Sequence, residues 1–148
     1  MDQTPPSKAY GRYCVPQGLE TRPAVKAVRV GGTCEPQTMA FMRAYAGGGD
    51  IVHVGTFFGD VLPDVAAAML DFVIPRDRQV TIVQFDVEGH EKRALKSAYH
   101  LIHRCRRILI FENRGNETWI QRRFRGLGHW VRGKLHGNFV YATEELDL

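Results

Sequence analysis

Three short apolar runs recur along the middle of the chain, and each is followed by polar residues. Asp50–Val54 and Val80–Phe85 are rich in β-branched residues, and Arg107–Phe111 has the same character. Short continuous runs of this kind are typical of strands whose two faces are both buried. Because stretches with helical spacing separate them, the pattern predicts an α/β fold with a parallel sheet.

Apolar residues recur at helical spacing in four further stretches, which we expect to form helices that cover the sheet. These stretches are Gln37–Tyr45, Val61–Phe72, His90 to about Arg104, and Glu117–Leu127. Residues 24–30 fit either a short strand or a helix. Two short strands near 129–132 and 138–142 predict a C-terminal antiparallel hairpin.

The positions of proline and glycine divide the chain into a lead-in and a core. Four prolines within the first 23 residues predict an irregular start rather than a packed element. We therefore expect one domain over 1–148, with a lead-in segment and helix over 1–46 and the α/β core over 50–148.

Composition narrows the class of protein without deciding its function. The chain has 148 residues, of which 44% are hydrophobic and 24% charged, as in an ordinary folded domain. Its three cysteines include no C-x-x-C pair, which favours a reducing compartment. There is no apolar run of membrane-spanning length and no leader pattern at Met1–Lys8. We therefore expect a cytoplasmic protein that does not enter a membrane.

Positive charge is concentrated in the second half of the chain. Residues 92–136 hold twelve Lys and Arg but two Asp and Glu, whereas the whole chain has a net charge of +4. A basic region suits nucleic acid or an acidic lipid surface, but it is also typical of solvated helix faces. Phe124 interrupts a run of arginines at a position on the apolar stripe, so we favour a core phenylalanine beside solvated arginines. Nucleic acid is not an expected partner.

The first predicted strand ends in a glycine-containing turn. Val54 is followed by G-T-F-F-G-D, residues 55–60. Glycines at this point let the backbone approach a ligand, and ligands of open α/β sheets lie at the carboxyl ends of strands. A tight strand-to-helix turn is the alternative explanation. His53 lies inside the apolar strand and is more typical of a hydrogen-bonded core histidine than of a ligand.

The second predicted strand ends in a cluster of acidic groups. Asp86, Glu88 and Glu91 follow it, with His90 between them. Such a cluster suits a general base, a substrate hydroxyl or a metal. Acidic residues also favour the first turn of a helix, and we assign Glu91 to that structural role and Asp86 to function.

Two other polar features have both structural and functional interpretations. Glu112–Asn113 follow the third strand, where they could belong to a site or serve as a solvated Glu and a capping Asn. Cys105 lies between two arginines, but a half-buried structural thiol is the favoured interpretation.

Taken in order, these segments resemble the FkbM family of S-adenosylmethionine-dependent methyltransferases. Val80–Ala98, V-T-I-V-Q-F-D-V-E-G-H-E-K-R-A-L-K-S-A, is similar to the family's fourth strand and the helix after it. Ile51–Pro63 is similar to its cofactor-binding first motif. I-L-I-F-E-N and L-G-H-W-V-R-G-K-L-H-G-N-F-V resemble the next strand and the closing hairpin. The resemblance implies a truncated Rossmann-like methyltransferase sheet, mostly parallel, with a C-terminal antiparallel hairpin.

The resemblance also implies a reaction and a set of site residues. S-adenosylmethionine would be the cofactor, and a methyl group would pass to a hydroxyl of a sugar or small metabolite. The implied catalytic residues are Asp86, Glu88 and His90, with no metal assigned. The implied cofactor-binding residues are His53, Gly55, Thr56, Phe57, Gly59, Asp60 and Asp86.

The chain departs from the family pattern between Phe72 and Val80, where two strands and their helices are missing. That section normally carries the acidic residue that binds the cofactor ribose. Without it, strand one becomes an edge, and the reversal of strand order that forms the crevice disappears. Either the first helix then packs on the other face of the sheet, or strand one pairs with a second chain as a homodimer. A non-catalytic binding or oligomerisation module is the alternative function, and a nucleic-acid-binding protein that uses the basic region is the third.

Overall fold

The computed structural model describes residues 2–3, 14–15, 18–55, 70–87, 89–112 and 117–148. The chain forms two compact units, Met1–Ala40 and Phe41–Leu148. Within the described ranges, no helix has the length and apolar character needed to cross a membrane.

The first unit contains two short strands and a helix. β1 (Asp2–Gln3) pairs antiparallel with β2 (Cys14–Val15), so the expectation of a wholly irregular lead-in is wrong at these residues. α1 (Pro23–Arg29) resolves the ambiguity over 24–30 in favour of a helix. Proline in its first turn has a φ that suits a helix, and Arg29 in its last turn lies at the negative end of the helix dipole. α2 (Pro36–Ala46) begins in this unit.

The second unit is built on a mixed five-stranded sheet with the order β3-β4-β5-β7-β6. Its strands are β3 (Asp50–Val54), β4 (Val80–Phe85), β5 (Ile108–Phe111), β6 (Trp130–Leu135) and β7 (Asn138–Ala142). β3, β4 and β5 are parallel, and β7 is antiparallel to both β5 and β6. The predicted α/β class and C-terminal antiparallel hairpin are confirmed.

Short helices follow and separate the strands. They are α3 (Leu70–Val73), α4 (Glu91–Ser97), α5 (Tyr99–Cys105) and α6 (Glu117–Arg123), and a 3-10 turn follows at Arg125–Leu127. The apolar positions predicted for the stretch over α4 and α5 are all buried: Ala94, Leu95, Ala98, Leu101 and Ile102.

Both faces of the central strands β4 and β5 are covered by apolar side chains, as the continuous apolar runs predict. On one face, Val83, Phe85 and Leu109 pack with the buried residues of α4, α5 and α6. On the other face, Ile82, Ile108 and Val140 pack with Phe41 and Met42 of α2. The central strands β4 and β5 are consequently buried along their whole length.

The last turn of the predicted Val61–Phe72 helix is α3, and it packs on the same face as α4 and α5. Leu70 and Ile74 contact the core there, whereas Phe72 is 87% exposed, although a helix with this apolar spacing that covers the sheet would turn Phe72 inward. Two right-handed crossovers that proceed in the same direction across a sheet place their helices on one face. The shared face of α3, α4 and α5 is the one that two such crossovers give.

Asp71 explains why the predicted helix from His90 to Arg104 is divided into two. Its carboxylate accepts hydrogen bonds from the backbone N–H groups of His100, at 2.9 Å, and Leu101, at 2.7 Å. These amides would otherwise bond to carbonyls one turn earlier in a continuous helix. Ala98, at φ −103° and ψ 17°, forms the junction.

β3 lies at the end of the strand order, with β4 as its one partner among the described residues. Arg78 holds the start of β3 through two hydrogen bonds to the Asp50 carboxylate, at 2.6 and 2.7 Å. The expected edge position of this strand is thus observed. The order of β3, β4 and β5 follows the chain without reversal, so these strands form no switch-point crevice.

Candidate functional site at the carboxyl ends of the parallel strands

The carboxyl ends of β3, β4 and β5 are level. Val54 pairs with Phe85, and Phe85 pairs with Phe111, whose ring stacks on that of Phe85 with 4.9 Å between centroids. The next residue of each strand is Gly55, Asp86 or Glu112. Since neighbouring strands lie about 4.8 Å apart, these three residues form a row along one edge of the sheet.

Gly55 and Asp86 meet through their backbones. The Asp86 N–H donates to the Val54 carbonyl at 2.9 Å, which extends the pairing beyond the strands. Gly55 has φ +101°, and a Cβ there would lie 1.7 Å from the Asp86 carbonyl oxygen. Only glycine fits both the conformation and the space. The glycine that the sequence marks as a ligand-approach position is therefore required by the contact between two strand ends.

The segment after Asp86 turns directly into α4. Val87 is buried, and its carbonyl accepts the His90 N–H at 3.0 Å. Gly89 has φ +92°, and its N–H donates to the Glu91 carboxylate at 2.9 Å. Glu91 itself is 4% exposed at the first position of α4. The structural interpretation of Glu91 as a helix-start residue is confirmed.

Of the remaining predicted site residues, Asp86, His90 and His53 lie in the described ranges and five others do not. Asp86 and His90 are both exposed, and Asp86 lies beside Gly55 at the carboxyl edge. His53 is exposed inside β3, level with Gln84, so the interpretation as a buried core histidine is wrong. It belongs to the exposed alternation of β3, whose other face packs on the core through Val52 and Val54. Five predicted residues lie outside the described ranges: Thr56, Phe57, Gly59, Asp60 and Glu88.

Glu112 is a member of the row for which the sequence left two interpretations. Its side chain is exposed, one strand beyond Asp86. Two exposed carboxylates on adjacent strand ends can accept hydrogen bonds from hydroxyls, attract a cationic ligand or accept a proton. In the described part of the chain, no group of three or more His, Cys, Asp or Glu side chains could hold a metal ion.

A titratable residue that sequence reasoning passed over lies away from this row. His129, considered only as the start of a strand, is buried, and burial lowers its pKa to about 4. The charge of His103 lowers this pKa further, while attraction to the Arg107 backbone opposes the shift. The sequence signal is faint: a single histidine between Gly128 and the apolar strand β6.

In the basic helical region, the expected core position of Phe124 is confirmed. Phe124 is buried in the core, and the neighbouring Arg122 and Arg123 are exposed. The Arg123 guanidinium lies 4.6 Å from the centre of the Tyr99 ring, a protein cation–π contact. Cys105 is half-buried and carries a free thiol, as expected.

Comparison of the chain with models of protein families, with curated proteins and with solved structures gives no match.

Proposed function

We propose that the chain is a shortened S-adenosylmethionine-dependent methyltransferase of the FkbM type, acting on a hydroxyl of a sugar or small metabolite. The observation that carries the proposal is the contact between Gly55 and Asp86, because both belong to the segments that resemble the family. The strand order adds support. The strand that resembles the family's first lies beside the one that resembles its fourth, and the closing hairpin follows β5.

The chemistry of the carboxyl edge fits part of the cofactor. S-adenosylmethionine carries a sulfonium and an ammonium group, and the exposed carboxylates of Asp86 and Glu112 complement positive charge. Gly55 contributes differently from the family expectation, since the space beside its Cα is taken by the Asp86 carbonyl. The acidic residue that would bind the ribose has no counterpart in the resembling segments, so the methionine and sulfonium portion is the part these residues would hold.

Bound S-adenosylmethionine would supply the methyl group. The Asp86 carboxylate would orient the acceptor hydroxyl and accept its proton as the oxygen becomes nucleophilic. His90, exposed at the start of α4, would pass that proton to solvent, and the resemblance gives Glu88 a role in the same step. The Gly55–Asp86 backbone contact fixes the base relative to the end of β3.

Isothermal titration of the full chain with S-adenosylmethionine tests the proposal. We expect micromolar binding that weakens about tenfold in Asp86→Asn, equivalent to ~1.4 kcal/mol. Asp77→Asn is the matched control, because Asp77 is an exposed aspartate in the turn before β4. Gly55 variants are unsuitable, since they would disrupt the fold whether or not a cofactor binds. Absence of binding at millimolar ligand, or equal weakening by both variants, would contradict the proposal.

A second candidate, a non-catalytic module that forms a homodimer through β3, is favoured by one observation. β3 lies at the end of the strand order, and Ile51 on it is 41% exposed. Such an edge can pair with a second copy. Light scattering would support this candidate if the chain is a dimer that Ile51→Lys converts to a monomer. A monomeric unmodified chain would exclude it.

A further inference from the structure

The helices α3, α4 and α5 cover one face of the sheet, and positive charge is concentrated on the side that they turn to solvent. Between 89 and 107, a range that the structure describes without a gap, all six Lys and Arg are exposed, and the one acidic residue, Glu91, is buried. No carboxylate of the described residues forms an ion pair with Lys92, Lys96 or Arg104. Solvated helix faces ordinarily carry both signs of charge, so this surface is unusual.

Helical spacing brings the cations into one stripe. Lys92 and Lys96 are four positions apart in α4, and His100 and Arg104 are four apart in α5, so each pair lies on one side of its helix. The opposite sides of both helices are buried in the core. Arg76, in the turn before β4, lines a cleft together with His100 and Arg104, which extends the stripe towards α3.

Two exposed apolar side chains lie beside this stripe. Phe72 and Val73 of α3 are 87% and 60% exposed. Phe72 is two positions from both Leu70 and Ile74, which contact the core, so it lies about 200° around the helix from Leu70 and faces away from the sheet. Asp71 bonds to two backbone N–H groups near the start of α5, which holds α3 beside the stripe.

The apolar pair and the cations thus share one surface on the outer side of the helices. We call it the basic-apolar surface, and it is formed by Phe72, Val73, Arg76, Lys92, Lys96 and Arg104.

An anionic phospholipid membrane complements both parts of the basic-apolar surface. Lys and Arg are attracted by the negative potential of such a membrane, and apolar side chains gain free energy in the boundary between head groups and acyl chains. Nucleic acid would also complement the cations, and a base could stack on Phe72, but the aliphatic Val73 offers no ring for stacking. Since the lipid boundary takes up both apolar side chains, it fits the surface better than nucleic acid does.

We propose that the basic-apolar surface binds the surface of a membrane that contains anionic phospholipid. Phe72 and Val73 enter the head-group boundary, while Lys92, Lys96 and Arg104 contact lipid phosphates and carboxylates. The surface contains none of the residues proposed for methyl transfer, so it does not depend on the proposed methyltransferase activity.

Cosedimentation of the full chain with sucrose-loaded vesicles tests the proposal. We expect binding to phosphatidylcholine vesicles that contain about one-third phosphatidylserine, half-complete at roughly 1 mM accessible lipid or less. Binding to vesicles of phosphatidylcholine alone should be at least about tenfold weaker, because the electrostatic attraction is lost. No binding to the anionic vesicles at about 5 mM lipid, or equal binding to both kinds of vesicle, would overturn the proposal.

Phe72→Ser tests the apolar contribution, with Trp130→Ser as its matched control. Trp130 is also exposed, at 57%, but it lies on β6, at the other edge of the sheet from β3. Phe72→Ser should weaken binding to the anionic vesicles about tenfold, and Trp130→Ser should alter it less than about twofold. Equal effects of the two variants would show that no defined apolar contact exists and would overturn the proposal.

Lys96→Gln tests the charged contribution, with Lys134→Gln as its matched control on β6, where Lys134 is also exposed. Lys96→Gln should weaken binding about fivefold, and Lys134→Gln should alter it less than about twofold. Fluorescence anisotropy with a labelled oligonucleotide distinguishes the other polyanion. If the oligonucleotide binds in a way that Lys96→Gln weakens and Phe72→Ser does not, while the anionic vesicles do not bind, the surface is a nucleic-acid site and the proposal is wrong.

Discussion

The two ends of the sheet in the Phe41–Leu148 unit are organised by different forces. At the carboxyl ends, the backbones of Gly55 and Asp86 are in contact, and Asp86 and Glu112 are exposed. At the amino ends, the neutral ring of His129 is buried. The first arrangement depends on the absence of a side chain and the second on the burial of one. In the sequence, a glycine indicates the first arrangement, whereas no local pattern indicates the second.

The largest effect is expected at the carboxyl end. Gly55→Ala should lower the free energy of unfolding by about 4 kcal/mol, because strain at positive φ adds to the clash with the Asp86 carbonyl. Urea denaturation followed by circular dichroism measures this loss.

Gly89→Ala is the control that separates strain from contact. Gly89 has φ +92°, close to the +101° of Gly55, but a Cβ there meets no atom within 4 Å. We expect a loss of about 1–2 kcal/mol for this variant. If both variants lose the same stability, the backbone contact contributes nothing and the comparison between the two ends fails.

The next effect concerns the amino end and depends on pH. His129 has a pKa of about 4 when folded and near 6.5 when unfolded, so the unfolded state binds more protons between these values. The contribution of the neutral His129 ring to the free energy of unfolding is therefore fully present above pH 6.5. It falls as the pH drops towards 4, by about 3 kcal/mol in all. Urea denaturation between pH 7 and pH 4 measures the loss.

Two variants isolate this contribution from the other titrating groups. His129→Gln should remove about 3 kcal/mol of the pH dependence, and His100→Gln, which changes an exposed histidine, should leave it intact. If stability falls equally with pH in His129→Gln and in the unmodified chain, His129 has the same pKa in the folded and unfolded states, and the prediction is wrong.

A smaller effect returns to the carboxyl end. Glu91→Ala should cost about 2 kcal/mol, since the buried carboxylate accepts the Gly89 N–H and fills space at the start of α4. Glu20 accepts the N–H of Gly18 at the same spacing, 3.0 Å away, but in solvent. Glu20→Ala should leave the free energy of unfolding nearly unchanged, because this carboxylate is exposed. Urea denaturation measures both changes. If the midpoints of the two variants shift equally with unchanged slopes, the structural role assigned to Glu91 is refuted.

The strands were predictable because their signal is local. β-branched runs ended by polar residues gave the bounds of β3 and β4 as observed, and the parallel order follows from the intervening helical stretches. The level ends of Val54 and Phe85 also follow, since sheet pairing makes strand ends coincide. These features include the part of the candidate site that is backbone: the meeting of Gly55 and Asp86.

The features that the sequence did not predict depend on residues that are distant in the chain. The division at Ala98 depends on Asp71, which is distant in sequence from the amides that it caps. The exposure of His53 depends on which strands flank β3, and no local pattern carries that information. The burial of His129 depends on residues far from it in the chain, such as His103, so no local pattern indicates it.

The strand order has a consequence for how the sheet assembles. Val131 and Tyr141 of the hairpin are 10 positions apart in the chain, whereas Ile51 and Ile82, which join β3 to β4, are 31 apart. Closing the longer loop costs more chain entropy, and β3 gains contacts from a single neighbour within the described residues. We expect the hairpin to form early and β3 to dock last, so Gly55 and Asp86 meet only as folding is completed.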